Sequence, residues 1–168
     1  MKKFLNILST LVMIVIIVFA GILVVPKFLG YRSYVVLTGS MEPTIHTGAL
    51  AFVKPAKPSE VENGDIITFY LQGDTIATHR ALEVHEETQS FMTKGDANNT
   101  VDFSETPFSS LIGIFAFSIP YLGFVSQFMQ TKYGIIVVAG LLLVLVLSIM
   151  LPLIFKKEEP KEEKQESK

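Results

Sequence analysis

The fold of this chain is decided by residues 66–84, which read IITFYLQGDTIATHRALEV. Two runs rich in β-branched and aromatic residues are separated there by the three residues Gln72-Gly73-Asp74. A three-residue connection that contains glycine suits the turn of an antiparallel hairpin. The stretch therefore predicts a β-hairpin in the middle of the chain.

Similar short runs lie on both sides of this hairpin. They occupy residues 34–37, 48–54 and 90–94, and each is bounded by turn-forming residues. None of them shows a helical period, and strands spaced so closely are typical of a compact antiparallel sheet. The expected fold class is therefore mainly β, with five or more short strands.

Two long apolar segments flank the predicted β-domain. Residues 4–25 and residues 134–155 contain no Asp, Glu, Lys or Arg. At roughly 1.5 Å per helical residue, each reaches about 33 Å and can cross the roughly 30 Å hydrocarbon core of a bilayer. The sequence therefore predicts two transmembrane helices, one before and one after the β-domain.

The lysines at the outer ends of these segments set the expected orientation. Two lysines precede the first segment and two immediately follow the second. Basic residues favour the cytoplasmic side, so residues 1–3 and 156–168 are expected in the cytoplasm and residues 27–133 outside it. Residues 156–168 contain no apolar side chain and predict a disordered tail.

Two alternatives affect this topology. The first segment could be a cleavable signal peptide cut at Gly21, but its apolar run continues to Pro26, which favours an uncleaved signal anchor. Residues 106–131 are also uncharged, so a third crossing is conceivable. We favour a final strand ending near Pro120 and a short interfacial stretch, because a third crossing would place the lysine-rich tail outside.

Composition excludes several function classes. Residues 27–133 carry 7 Lys and Arg against 11 Asp and Glu, which argues against a nucleic-acid surface. The chain has no cysteine, so disulfides and thiol catalysis are excluded. His79 and His85 would lie roughly 20 Å apart on a regular strand, too far to share a metal. Glycine-rich nucleotide motifs are absent, and neither a metal nor another cofactor is expected.

Residues that could perform nucleophilic catalysis occur together in this β-region. Ser40 lies in residues 38–44, TGSMEPT, a turn sequence shortly after the first apolar segment. His79 lies in a predicted strand, and residues 94–102 contain two aspartates. A nucleophile, a base and orienting acids in one short domain indicate nucleophilic catalysis by serine at a membrane surface.

Four motifs in this order resemble type I signal peptidases. They are TGSMEPT at 38–44, NGDII at 63–67, THR at 78–80 and KGDANN at 94–99. The position of His79 resembles the branch of the endoplasmic reticulum, archaea and some Gram-positive bacteria, in which serine works with histidine rather than lysine. The resemblance covers about residues 35–105. It implies a signal peptidase-like β catalytic domain that removes signal peptides from exported preproteins.

The chemistry of the residues agrees with that resemblance. A serine hydroxyl is a weak nucleophile, and an imidazole can take its proton and return it to the leaving amine. Ser40 is the expected nucleophile and His79 the expected base. His46 and His85 compete for the second role, but His46 follows Ser40 by only six residues and His85 lies among glutamates.

Asp96 and Asp102 are both candidates for the acid that orients the histidine. Ala97 is an insertion relative to the plainest form of the family motif, which leaves the alignment of the acid open. Asp102 is favoured, and Asp96 is expected to hold a turn. By resemblance, the oxyanion hole combines the Ser40 backbone N–H with the Thr38 hydroxyl.

The resemblance also implies the partners and the location. Secretory preproteins with small residues at the first (−1) and third (−3) positions before the cut are the expected substrates, bound extended along an edge strand. Membrane lipid and the secretion machinery are the other expected partners of a multi-pass membrane protein. The alternative functions are a two-span anchoring or sensor module and a catalytically inactive scaffold of a secretion complex.

Overall fold

A seven-stranded sheet, counted over the described residues, forms the centre of the molecule. The computed structural model describes residues 2–71, 73 and 75–154. The elements in chain order are α1 (Lys2–Phe28), β1 (Arg32–Val35), β2 (Leu50–Lys54), β3 (Ile66–Tyr70), β4 (Ile76–His85), β5 (Ser90–Lys94), β6 (Thr106–Pro107), β7 (Leu111–Ile119), α2 (Leu122–Met129) and α3 (Lys132–Ile154).

The sheet confirms the predicted mainly β, antiparallel fold. Its strand order is β1-β2-β7-β3-β4-β5-β6, and all neighbouring strands run antiparallel. The predicted hairpin is the β3–β4 pair, in which Ile66 lies opposite Arg80 and Tyr70 opposite Ile76. Gln72 and Asp74 of the predicted turn lie outside the described residues.

Strand β7 accounts for the central part of the apolar run at residues 106–131. It lies between β2 and β3, in the interior of the sheet, where neighbouring strands cover both of its edges. It ends at Ile119, which confirms the predicted final strand ending near Pro120. The hydrophobic run is therefore divided between a central strand of nine residues and a helix, α2, of eight residues.

Three clusters of buried side chains hold the sheet together. One surrounds Phe69 and Phe91, and a second joins Met41, Ile45 and Ala49. The third contains Leu50, Phe52 and Leu122, with Phe19 and Leu23 of α1 packed against it. Burying one such large side chain contributes about 1.5–3 kcal/mol. The third cluster therefore attaches α1 and α2 to the same part of the sheet.

The helices bear out the first predicted membrane span more fully than the second. Within the described residues, α1 is long and apolar enough to cross a bilayer by itself over Thr10–Phe28. A second span is counted only when α2 and α3 are taken together, and these helices meet at a bend of 89°. The second transmembrane helix, at 134–155, stays a prediction, and the tail at 156–168 lies outside the described residues.

Candidate active site

Ser40 lies in the loop at residues 36–49 that connects β1 to β2, in a turn within that loop. In this turn, the Glu42 N–H donates to the Gly39 carbonyl at 3.0 Å and the Ile45 N–H to the Met41 carbonyl at 2.9 Å. The Met41 side chain, directly after Ser40, is only 2% exposed and packs with Ile45. Burial of Met41 therefore fixes the backbone on the C-terminal side of the half-buried Ser40.

The loop that follows β5 holds Ser40 from the other side. The Ser40 carbonyl accepts a hydrogen bond from the Ala97 N–H at 2.9 Å. A Cβ on Gly95 would lie 2.6 Å from the same carbonyl oxygen, so this close approach requires glycine. Ala97, the residue inserted into the family-like motif, thus supplies a direct contact to the Ser40 backbone.

His79 lies on β4 with its ring bonded to Asp102. The His79 Nδ1 and the Asp102 Oδ2 are 2.6 Å apart, and the two side chains are 15% and 22% exposed. A carboxylate accepts, so Nδ1 carries the proton in this bond and Nε2 is left as an acceptor. The ring also lies edge-on to Phe69, with ring centroids 6.2 Å apart.

A threonine holds the Asp102 carboxylate in place. The Thr93 hydroxyl on β5 donates to the Asp102 Oδ2 at 2.7 Å, and the Asp102 N–H donates to the Thr93 carbonyl at 2.9 Å. Sequence reasoning missed Thr93. Thr93 lies opposite Ala81, two residues after His79 and therefore on the same face of the sheet, but sequence spacing does not fix this register.

Asp96 bonds to Arg80 and Thr44. It accepts two bonds from Arg80, from Nε at 2.9 Å and from the terminal nitrogen at 2.6 Å, and one from the Thr44 hydroxyl at 2.5 Å. The Arg80 hydrogen bonds hold the pKa of Asp96 below its usual value. Asp96 therefore ties the Ser40 turn, through Thr44, to strand β4, and the hydrogen bond to His79 comes from Asp102.

The other two histidines are bonded to glutamates. His46 lies on the Ser40 turn, and its Nδ1 is 2.5 Å from Glu42 Oε2, with 59% of the histidine side chain exposed. His85 lies at the far end of β4, between Glu83 and Glu105, at 3.1 Å from each. The structure therefore gives each histidine a carboxylate partner, but only that of His79 is largely shielded from water.

The two hydroxyls expected to act on substrate are open. Thr38 is exposed on the same turn as Ser40, two residues upstream. In the part of the chain that the structure describes, neither the Thr38 nor the Ser40 hydroxyl has a hydrogen-bond partner. Across those same residues, no three His, Asp or Glu side chains converge on a metal position. The Ser40 hydroxyl and the His79–Asp102 pair are groups of the kind that can perform acid–base chemistry.

Comparison with known proteins identifies relatives of this site. The sequence profile of the family described as "Signal peptidase, peptidase S26" matches residues 5–91. Signal peptidase I W of Bacillus subtilis is 36% identical over 112 residues, which cover 61% of this chain and 59% of that protein. The signal peptidase complex catalytic subunit SEC11C of Rattus norvegicus is 34% identical over 122 residues, 63% of each chain.

A fungal relative is matched over more of its length. The signal peptidase complex catalytic subunit SEC11 of Schizophyllum commune is 30% identical over 139 residues, 64% of this chain and 72% of that protein. The chain spans about three fifths of the length of the first two relatives. The profile match includes Ser40 and His79, whereas Asp96 and Asp102 lie beyond its end.

Proposed function

The chain belongs to the signal peptidase family, peptidase S26, and we propose that it is a membrane-bound serine endopeptidase that removes signal peptides from exported preproteins. The observation that carries this proposal is the hydrogen bond between His79 Nδ1 and Asp102. It leaves the other ring nitrogen to act as a base, in a chain whose Ser40 hydroxyl is open.

In the proposed reaction, Ser40 Oγ attacks the scissile carbonyl while His79 Nε2 takes the hydroxyl proton. The same nitrogen then gives that proton to the departing amine, and a water molecule activated by His79 releases the signal peptide from Ser40. Asp102 keeps the imidazole in the required tautomer and stabilises the imidazolium. The Ser40 N–H and the Thr38 hydroxyl are the proposed donors to the oxyanion.

The substrate is proposed to bind as an extended strand. β1 lies at one edge of the sheet and leads directly into the Ser40 turn, so a peptide beside that edge can reach the hydroxyl. Small side chains are expected at the −1 and −3 positions. Two relatives are named as catalytic subunits of a signal peptidase complex, which supports a proposal that this chain also has partner subunits.

The proposed topology has two spans, with both termini in the cytoplasm and the sheet outside it. α1 supports the first span, and the apolar α3 supports the second. Because the chain has no cysteine, single thiols can test this arrangement. A membrane-impermeant maleimide should label Gln89→Cys in intact cells and Gln165→Cys only after permeabilisation. Labelling of Gln165→Cys from outside would refute the topology.

Cleavage of a preprotein by the purified full-length protein in liposomes tests the activity. We expect cleavage by the wild type and none by Ser40→Ala, which should still insert, because loss of one hydroxyl costs little stability. Replacing Ala by Leu at the −1 position should lower kcat/KM at least about 100-fold. An active Ser40→Ala variant would refute the serine mechanism, and efficient cleavage after Leu would refute the proposed specificity. No cleavage by the wild type would favour a scaffold.

A further inference from the structure

The start of α2 is pressed against the end of the Ser40 turn. The Gly123 N–H donates to the Gly48 carbonyl at 3.0 Å. The Phe124 ring covers Gly48 so closely that a Cβ there would lie 1.9 Å from a ring atom. Gly48 also has a φ of +82°, which disfavours any residue with a Cβ. These three residues, Gly48, Gly123 and Phe124, form what we call the α2 joint.

Gly123 makes the joint equally tight from the helix side. A Cβ on Gly123 would lie 2.5 Å from the Ala49 carbonyl oxygen and 2.7 Å from that of Gly48. A backbone oxygen cannot rotate away as the tip of a side chain can. Any side chain at Gly123 therefore has to separate α2 from the turn, even though Leu122 beside it is buried in the sheet core.

Two backbone hydrogen bonds connect the α2 joint to the loop that carries Ser40. The Gly48 N–H donates to the Val36 carbonyl at 2.8 Å, and the Val36 N–H donates to the Ala49 carbonyl at 2.9 Å. These two bonds close residues 36–49 into a loop that contains Ser40 near its middle. α2 rests on the base of this loop, and the Ala97 contact holds Ser40 itself.

The helix that carries the joint, α2, is followed directly by α3, the proposed second span. α2 meets α3 at 89°, and a Cβ on Gly134 at the start of α3 would lie 2.0 Å from the Phe128 carbonyl of α2. The two helices are therefore in close backbone contact where they bend. Only the eight residues of α2 lie between α3 and the base of the Ser40 loop.

We infer that α2 is a positioning element for catalysis: its joint with Gly48 sets where the Ser40 hydroxyl stands relative to His79. This inference rests on the proposed function of Ser40 and His79. A displacement of about 1 Å in such a pair can lower the rate on the order of 100-fold. Disturbing the joint should therefore lower kcat and leave KM nearly unchanged, because the three joint residues lie outside β1, along whose outer edge the substrate is proposed to bind.

The absence of cysteine makes a direct test possible in the full-length protein in liposomes. Ser40→Cys introduces a single thiol, and a neighbouring histidine lowers the pKa of a thiol below its ordinary value of about 8.5. The pH dependence of alkylation by iodoacetamide measures that pKa. We expect a lowered pKa in Ser40→Cys, and a return toward about 8.5 when Gly123→Ala is added.

The same substitution is then measured in the Ser40 protein by preprotein cleavage. Gly123→Ala should lower kcat about 10- to 100-fold with KM changed less than about twofold. Phe124→Ala, which removes the ring without adding an atom, should act in the same direction and serves if Gly123→Ala fails to fold. Gly140→Ala is the matched control, because a Cβ there meets no atom within 4 Å, and it should change neither measurement.

The outcomes separate the two proposals. An ordinary thiol pKa in Ser40→Cys alone would refute the pairing of Ser40 with His79, and the positioning role with it. A lowered thiol pKa that survives both Gly123→Ala and Phe124→Ala would leave the pairing intact and refute the role of α2. A loss confined to KM would also refute it.

Discussion

The two ends of strand β4 carry the same kind of pair in different surroundings. At one end His79 is bonded to Asp102, and at the other His85 is bonded to Glu105 and Glu83. Both ring nitrogens of His85 are occupied by carboxylates, whereas His79 uses only Nδ1 in such a bond. The comparison teaches that a carboxylate partner does not by itself make a histidine a base. One nitrogen also has to remain open.

Exposure separates the two ends further. The His79 side chain is 15% exposed and lies against Phe69, whereas that of His85 is 30% exposed and its partner Glu83 is 60% exposed. Water screens the second pair, so it contributes little to stability or chemistry. The first pair lies in a drier environment, where a fixed carboxylate orients the ring more effectively.

The largest expected effect comes from replacing His79 by alanine, with the same replacement at His85 as the comparison. His79→Ala should lower kcat/KM for preprotein cleavage about 10⁵-fold, because it removes the proposed general base. His85→Ala should change it less than about twofold. Wild-type activity should also fall on acidification, since a protonated imidazole accepts no proton. Equal losses of kcat/KM in both variants would show that the histidines at the two ends of β4 do not differ in function.

The partner acids should differ almost as strongly. Asp102→Asn should lower kcat about 10⁴-fold, because an amide donates to Nδ1 and favours the wrong tautomer. Glu105→Gln is the matched change at the other end and should leave kcat nearly unaltered. Its circular dichroism spectrum and that of Asp102→Asn should both match the wild type. A small loss for Asp102→Asn would return Asp96 to consideration as the orienting acid.

Asp96 should affect stability more than chemistry. Asp96→Asn breaks the two-bond pair with Arg80 and should cost about 2 kcal/mol, or roughly 4–8 °C in Tm. Because Arg80 lowers the pKa of Asp96, the contribution is present above the ordinary carboxyl pKa and is lost as the pH falls below about 3.8. Thermal unfolding of both proteins across this pH range measures the effect. A larger loss of kcat than of stability would contradict it.

The smallest expected effect is on stability, and it comes from His85 and its two exposed glutamate partners. The hydrogen bonds of His85 to Glu83 and Glu105 raise the pKa of His85, so protonation of His85 stabilises the folded state. That stabilisation is fully present below about pH 6.5 and disappears as the pH rises through the raised pKa. His85→Gln should therefore lower Tm slightly at pH 5.5 and by less at pH 9. The opposite pH trend would show that His85 is held neutral.

The sequence alone predicted the parts of this fold that depend on local patterns. The β3–β4 hairpin followed from alternating β-formers around Gln72-Gly73-Asp74, and the end of β7 from Pro120. The position of β7 between β2 and β3 could not be predicted, because it depends on pairing between strands more than 40 residues apart. No short-range pattern records such a pairing.

The candidate site shows the same division. Ser40 and His79 could be proposed from the sequence because their motifs are local, and Asp102 was favoured over Asp96 before any contact was known. The reasons for that preference were not predictable: Thr93 bonds Asp102, and Arg80 occupies Asp96. The Arg80–Asp96 contact depends on the register of β4 against β5, and the Thr93–Asp102 contact on how the loop after β5 folds back; sequence spacing fixes neither.

The late position of β7 in the chain has a consequence for the order of assembly. A nascent chain that ends before residue 111 has β2 and β3 but lacks the strand that pairs with both. The local β3–β4–β5 meander can form early, whereas the distant β2–β7–β3 pairings must wait, because closing long loops is slow. Among the described strands, β7 is the last to be synthesised, and it alone pairs the β1–β2 part of the sheet with the β3–β6 part. Hydrolytic competence should thus arise at the end of folding.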